Sequence, residues 1–590
     1  MTQFELSDAQ NDRARIDGGF SFSVSAFILG LGLLAVLDRI GLPDELLRSG
    51  VLALIFCGLA VIAVLRRTMR PVEFYVAGRV LPASYAGIVF AGAAFGLFLP
   101  FLPPVGDVSF TAIALGFCFG CLWLLFVAGP VLRRNGAFSF ADLIARRFPL
   151  FSVRIPVVLV FAFCAAAVTL AGYEIALNSL VAATGMDRGA AILLLSLWLM
   201  LFIVPGGLSG IIWILAAAAV VALAALTLPL ALGVVSGLPL ASPIVGDQML
   251  WVRGLSDFAL VTGTNTSAGG DLPIVIAFAL GVSLLVPLAG TAVASRDAAT
   301  AWRCGVTGTF WLIVGTLLVS ATIAGATLAL KTAVVGHAVA DLPPALLEAS
   351  GRGALSICGA YSAVPSAVAS VCGAHAQSLQ LQDIHSTGLD LIVSLPLLRG
   401  SEPTLARLAA VFLIVIGAAL AAAGVQGFLT SLAHDIRAPR RRHLGPASQR
   451  LAVARALAIG FIVCAGLWLA DHSVDTRFVT TLAIMLSVAI IAPLLALSLL
   501  PQATHLAAFA TLCVSGFIMI HFFVYSGAQI STPGLATDSI FAAADGLAVG
   551  LFIAFLPLGK RKAETAAEPQ RIEPAAEPDA AETQTKADAE

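Results

Sequence analysis

The sequence predicts an all-α integral membrane protein with about fourteen transmembrane helices. Its core reads as a five-plus-five inverted repeat with interrupted helices. Three observations carry this. The first is composition: of 590 residues, 59% are hydrophobic and 11% charged, and the mean hydropathy is +0.98. A soluble domain carries about 25% charged residues. A chain this long and this apolar cannot bury its hydrophobic side chains in one water-soluble core, so lipid is the solvent for most of it. The second is a succession of apolar runs of spanning length. The third is a pair of runs, five spans apart, that glycine and proline interrupt.

A spanning helix needs about 20 mostly apolar residues. Such runs lie near 21–39, 49–66, 82–103, 109–132, 154–183, 188–206, 208–236, 272–294, 304–330, 404–430, 452–471, 478–500, 503–524 and 534–558. A further stretch near 354–372 is rich in Ala, Ser and Gly and reads as part of a long loop. Orientation follows from the Lys/Arg bias of the loops. One set carries Arg66, Arg67, Arg70 and Arg79, then Arg133, Arg134, Arg146 and Arg147, then Arg296 and Arg303. The same set continues with Arg437, Arg440, Arg441 and Arg442, and ends with Lys560, Arg561 and Lys562. The opposite loops hold isolated cations such as Arg48, Arg253 and Arg399. This span count puts every basic cluster on one side, which predicts a multi-pass inner-membrane protein with both termini cytoplasmic.

Several classes are excluded. A net charge of −1 leaves no basic face for nucleic acid. The nine cysteines are scattered through apolar runs. Cys118 and Cys121 form a CxxC inside a span with no His or second pair nearby, and read as small buried apolar residues. No disulfide framework and no metal site is predicted. No HExxH, Walker loop or nucleophile elbow is present, so the chain reads as a non-enzyme with no catalytic residues and no organic cofactor. The polar N-terminal stretch lacks a small-residue cleavage pattern and reads as a cytoplasmic tail.

Transporters with interrupted helices bind solute near the bilayer midplane at the interruptions. The third run carries Gly87, Gly92, Gly96, Pro100, Pro103 and Pro104, and the eighth carries Gly281, Pro287 and Gly290. Broken backbone at membrane depth must line a cavity or be buried in protein; the alternative use of the same residues is close helix packing. Few polar residues lie inside the runs. Glu174 sits well inside the fifth, where a carboxylate is expensive and a functional candidate for substrate or proton binding; the alternatives are an outer-interface or a protonated, hydrogen-bonded Glu. Gln426 and Thr430, four apart, share one face of the tenth run; they either coordinate a solute or hydrogen-bond a neighbouring helix. Ser283 adjoins the eighth-run interruption and offers a hydroxyl there. His375, His385 and His434 fall in loops or at a span end, where a solvated role is expected.

Several segments resemble a known family. Glu73 to Arg79, reading EFYVAGR and followed by Pro82, resembles the signature before the first broken helix of sodium:solute symporters. Gly106 to Phe148 resembles the next span and its cytoplasmic loop. Pro205 to Trp213 is similar to that family's glycine-rich turn, and Asp297 to Gly308 to the start of a later span. Leu389 to Val393 and Ala433 to Ile436 resemble a loop and a span end of that family. The likeness runs from about 70 to 500, and the nearest branch is the acetate/monocarboxylate type.

The resemblance implies a LeuT-like core of ten helices with sodium held between the third and tenth spans. Backbone carbonyls of Ala91 and Ala94 would bind the cation. The acidic residue many members carry falls on Ala93 here, and their Ser-Thr pair falls on Ala419 and Leu420. The Arg of acetate-type members falls near Thr291, and the family's Thr-Gln after the turn reads Ile214-Leu215. Sodium is a hard cation that needs oxygen ligands, so these departures weaken its site. Gln426 lies seven residues beyond Ala419, about 10 Å along the helix, too far to replace a ligand there. The expected division is a tail at 1–20, two extra N-terminal spans in 21–70, a symporter core at 71–500, C-terminal spans in 501–562 and a disordered tail at 563–590. The expected activity is cation-coupled symport, with Na+ or H+ as coupling ion, no other metal, and a small organic solute, best guess an acetate-like monocarboxylate. The alternative is a transport-inactive solute sensor or membrane scaffold. Its partners are the solute and the lipid bilayer; the oligomeric state is not assigned.

Overall fold

A computed structural model describes residues 3–102, 110–235, 240–244, 246–262, 271–351, 355–386, 403–436, 447–526 and 532–556. Among the described residues, 12 helices are long and apolar enough to cross a membrane, or 13 when the bent pair Leu272–Val282 and Val286–Ala294 forms one span. The second predicted run is a shorter apolar helix, Ser49–Leu65. Helix therefore forms at every predicted run. The first helix starts at Gln3 and continues to Arg39, so the polar stretch expected as a tail is helical. Pro103, Pro104, Gly106, the Leu389 to Val393 segment, Arg399, Arg437, Arg440 to Arg442, Lys560 to Lys562 and the 563–590 tail lie outside the described residues.

Burial ranks the spans. The Val411–Asp435 window is 94% buried, against 28% for His505–Tyr525, 22% for Thr532–Phe555 and 0% for Phe20–Leu37. The tenth predicted run is thus the axis of the bundle, and the first and last runs form its rim. The axial helix Pro403–Leu429 packs on Phe151–Thr184 through glycine: a Cβ on Gly172 would lie 2.7 Å from the Gly417 carbonyl oxygen. Large buried aromatics, including Phe90, Phe101, Phe161 and Phe278, fill the remaining space.

The two interrupted runs behave differently. The eighth breaks, with a 44° bend between Asp271–Val282 and Val286–Ala294. The third does not: Ala83–Phe98 is one continuous helix, extended by a tighter turn at Leu99–Phe101 that contains Pro100. Its glycines serve packing instead. A Cβ on Gly87 would lie 2.5 Å from Thr307 Oγ1, one on Gly92 would strike the Leu215 carbonyl, and one on Gly96 would meet Leu420 Cβ at 3.3 Å. Small residues that let helices approach this closely look, in sequence, the same as those that break one. The chain does leave helical geometry just before this span, where Ala77, Gly78 and Arg79 all have positive φ.

The stretch near 354–372 is not a span. It folds as a strand, Leu355–Ile357, and a short helix, Pro365–Cys372, and the strand pairs antiparallel with Ile384–Ser386. Cys358 and Cys372 form a disulfide across a separation of 14 residues. This corrects the expectation of no disulfide: both cysteines lie in this loop, not in an apolar span. A cross-link closing a loop of this size contributes about 3 kcal/mol. Cys358→Ser is expected to speed proteolysis and amide exchange in 355–386 while the unfolding temperature of the helical core stays put. A core that melts with the loop would show the two are one cooperative unit.

Candidate functional site

The break in the eighth span is built by local chemistry. Amide N–H groups of Leu284 and Leu285 bond back to the Gly281 and Val282 carbonyls at 3.1 and 3.2 Å, closing the first half-helix. The second half starts with Pro287 in its first turn, where a missing N–H costs nothing. No side chain caps this N-terminus. Ser283 lies in the break and is buried, but its hydroxyl donates to the Leu280 carbonyl at 2.6 Å and it does not line the cavity beyond.

That cavity lies between the broken span, Ala83–Phe98, the start of the Leu208–Val235 helix and the axial helix. Tyr75, Val89, Phe161, Leu215, Pro287, Thr291, Gln426 and Thr430 contribute to its wall. About 40 Å³ is open to the centre of a water-sized sphere, room for about three ordered waters. No Asp, Glu, Lys, Arg or His is among the lining residues described. Thr291 lies near where the resemblance places an Arg; its hydroxyl donates to the Leu288 carbonyl at 2.9 Å.

Gln426 is the most informative side chain. It is 3% exposed. Its Nε2 donates to the Phe74 carbonyl at 2.9 Å, which fixes the amide's orientation, and its Oε1 is buried with no hydrogen-bond partner. A buried acceptor without a donor costs about 1–3 kcal/mol, and Gln426 is among the residues that line the cavity. Thr430, one turn on, donates to the Gln426 carbonyl at 2.9 Å. It opens a π-helical turn, Thr430–Asp435, a distortion frequent at functional sites. Gln426 and Thr430, one turn apart, both line the cavity.

Phe138, Ser139 and Phe140 also line the cavity. Ser139 caps the Phe140–Arg147 helix by accepting from the Asp142 N–H at 2.9 Å, and donates to Asp435 Oδ2 at 2.6 Å. His434 Nδ1 lies 2.9 Å from Asp435 Oδ1, and its ring stacks on Phe138 at 4.2 Å. Arg154 donates to the Asp435 carbonyl at 2.8 and 3.1 Å. His434, expected to be solvated, is therefore buried, because the π turn rotates it between Phe138 and Tyr75. Beside these residues Arg79 lies over the Phe138 ring, and burial, helped by Arg133 and Arg146, lowers its pKa. Sequence reading did not single out Ser139; its signal was the Ser-x-x-Asp cap opening the 140–147 helix.

Other predicted positions fall elsewhere. Glu174 is 2% exposed and accepts from Arg188 Nη2 at 3.0 and 3.1 Å, with Asn178 Nδ2 at 3.2 Å. Arg188 also donates to the Leu469 carbonyl at 3.0 Å. This cluster pins three helices together and lies outside the cavity wall. Ala91 and Ala94 sit inside the continuous Ala83–Phe98 helix, and Ala93, Ala419 and Leu420 are fully buried apolar contacts in and around it. No side-chain oxygen stands at those last three positions.

Residues 75–344 match the sodium:solute symporter family, which supports the resemblance read from the sequence. A structure of a Na+-coupled sialic acid symporter, in a substrate-bound outward-open state, superposes with a TM-score of 0.61 at 14% identity, covering 87% of this chain and 98% of that one. The fold is the LeuT-type transporter fold. A nucleobase-cation-symport-1 family transporter covers 83% of this chain and 95% of its own at 12% identity and a TM-score of 0.42. A manganese transporter of Eremococcus coleocola covers 85% and 96% at 15% identity and a TM-score of 0.41. No curated protein matches significantly.

Proposed function

We propose that this chain is a cation-coupled symporter that moves a small organic solute by alternating access around the cavity at the broken span. The observation that carries the reading is the buried, unpartnered Gln426 Oε1 on a residue that lines a cavity beside the broken span. The Ser139–Asp435 contact is the closure on one side, and solute release requires it to part. The family match and the Na+-coupled neighbour favour sodium as the ion. The apolar residues at Ala93, Ala419 and Leu420 favour a weakened sodium site, with proton coupling as the variant. The finer reading, an acetate-like monocarboxylate, rests on resemblance alone. The Cys358–Cys372 disulfide supports an extracytoplasmic place for the 355–386 loop, since disulfides persist in oxidising compartments. That agrees with the Arg-rich loops facing the cytoplasm of an inner membrane.

Uptake of labelled acetate and acetamide into proteoliposomes, under separately imposed sodium and proton gradients, tests the reading. Accumulation under either gradient is expected, and the effective gradient names the ion. Solute binding without accumulation under any gradient favours the sensor reading, which the missing cation ligands also motivate.

A further inference from the structure

The lining of the cavity speaks to the class of solute, and on the symporter reading above we infer that the site takes a small neutral molecule carrying a hydrogen-bond donor, of the primary-amide kind, and rejects free carboxylates. Three observations meet here. First, no cationic side chain is among the described lining residues. A carboxylate held at membrane depth without a full counter-charge is expensive. Second, the wall presents acceptors. Gln426 Oε1 is buried and unpartnered. The hydroxyl hydrogens of Thr291, Thr430 and Ser139 are already given to the Leu288 carbonyl, the Gln426 carbonyl and Asp435 Oδ2, leaving their oxygen lone pairs. An ionised carboxylate only accepts hydrogen bonds, so it would set lone pair against lone pair at Gln426.

Third, besides the neutral Tyr75 and Ser431 hydroxyls, the wall offers a donor end that carries only a partial charge. The second half of the broken span begins at Val286 with no side-chain cap, and Val286 packs against Gly427, next to Gln426. A helix N-terminus carries about half an elementary charge. That suits a carbonyl oxygen. A molecule with a carbonyl at one end and an N–H at the other spans the two features: its carbonyl meets the half-helix and its N–H satisfies Gln426 Oε1. A solute of about four heavy atoms fits a space that holds about three waters. Acetamide and acetate are isosteric, so they separate hydrogen-bonding class from size.

The test measures binding of acetamide and of acetate to the purified full-length protein at neutral pH, by calorimetry, with and without sodium. Acetamide is expected to bind at least about tenfold more tightly than acetate. Gln426→Leu should lose about tenfold for acetamide and nothing for acetate. Gln426→Glu, which keeps the acceptor and adds charge, should shift preference to acetamidinium. Acetate equal to or tighter than acetamide on the unmodified protein overturns the inference, even if the variants fail to fold. Binding of neither probe overturns it too, as does sodium binding alone that Gln426→Leu abolishes, which would make Oε1 a cation ligand. Sodium-driven acetate uptake with no acetamide binding sinks this inference and leaves symport standing. Acetamide binding without driven uptake of any probe does the reverse.

Discussion

Replacing Glu174 by alanine is expected to destabilise the protein by about 3 kcal/mol, the low end for breaking a buried pair because Arg188 keeps some solvent contact. The removed carboxylate is 2% exposed and its partner's side chain 32%. The loss arises less from the attraction itself than from what remains. Arg188 would keep its bonds to the Leu469 carbonyl but lose its counter-charge among three packed helices. Thermal unfolding in detergent measures this. A Glu174→Leu, Arg188→Met double variant should recover most of the loss, since an apolar pair of similar volume often matches a buried ion pair. The same position separates two roles. If Glu174 only fastens helices, Glu174→Gln shifts stability and leaves the pH dependence of uptake unchanged. If pH dependence vanishes while the melt is unaltered, Glu174 is the coupling proton site despite its distance from the cavity wall.

How much of this was legible beforehand depends on the kind of signal. Span lengths are a solvent property, so apolar runs located nearly every helix. The break at the eighth span was legible because Gly281 and Pro287 combine a close-approach glycine with a residue that fits a helix start. The glycines of the third span carried the same letters but a different use, since only the neighbours Thr307, Leu215 and Leu420 decide between breaking and packing. Glu174 was legible as exceptional but its partner was not. Arg188 lies 14 residues on, across a turn, as the first residue of the next helix, and no helical periodicity links them. The disulfide was obscured by its company, because Cys358 and Cys372 sit in a stretch apolar enough to mimic a weak span. That Gln426 and Thr430 share one face was legible because a spacing of four on a helix is geometry that sequence states directly. What sequence could not state is that Gln426 keeps one amide end unsatisfied, which depends on the Phe74 carbonyl from a segment 352 residues away.

Gly172→Leu is expected to abolish folding, and Gly172→Ala to lower stability by about 1–3 kcal/mol, the range for overpacking a close contact. A Cβ there would lie 2.5 Å from the Ala421 nitrogen and 2.7 Å from the Gly417 carbonyl oxygen, and backbone cannot rotate aside as a side chain can. The crossing repeats along the axial helix. A Cβ on Gly417 would lie 2.7 Å from the Ala176 nitrogen, and one on Gly424 would lie 2.5 Å from Thr169 Oγ1. In lipid, where apolar side chains gain nothing by leaving solvent, such close backbone approach is a main source of helix association. The contact also sets the site. Gln426 leaves the same helix two residues after Gly424, so any displacement that relieves a methyl at 424 carries the amide with it. Gly424→Ala should therefore weaken solute binding by more than its modest loss in unfolding temperature implies, while Gly460→Ala, where nothing lies within 4 Å of the added Cβ, should change neither. Equal binding by the two variants would mean that the position of Gln426 is fixed by its bond to the Phe74 carbonyl and not by the helix crossing.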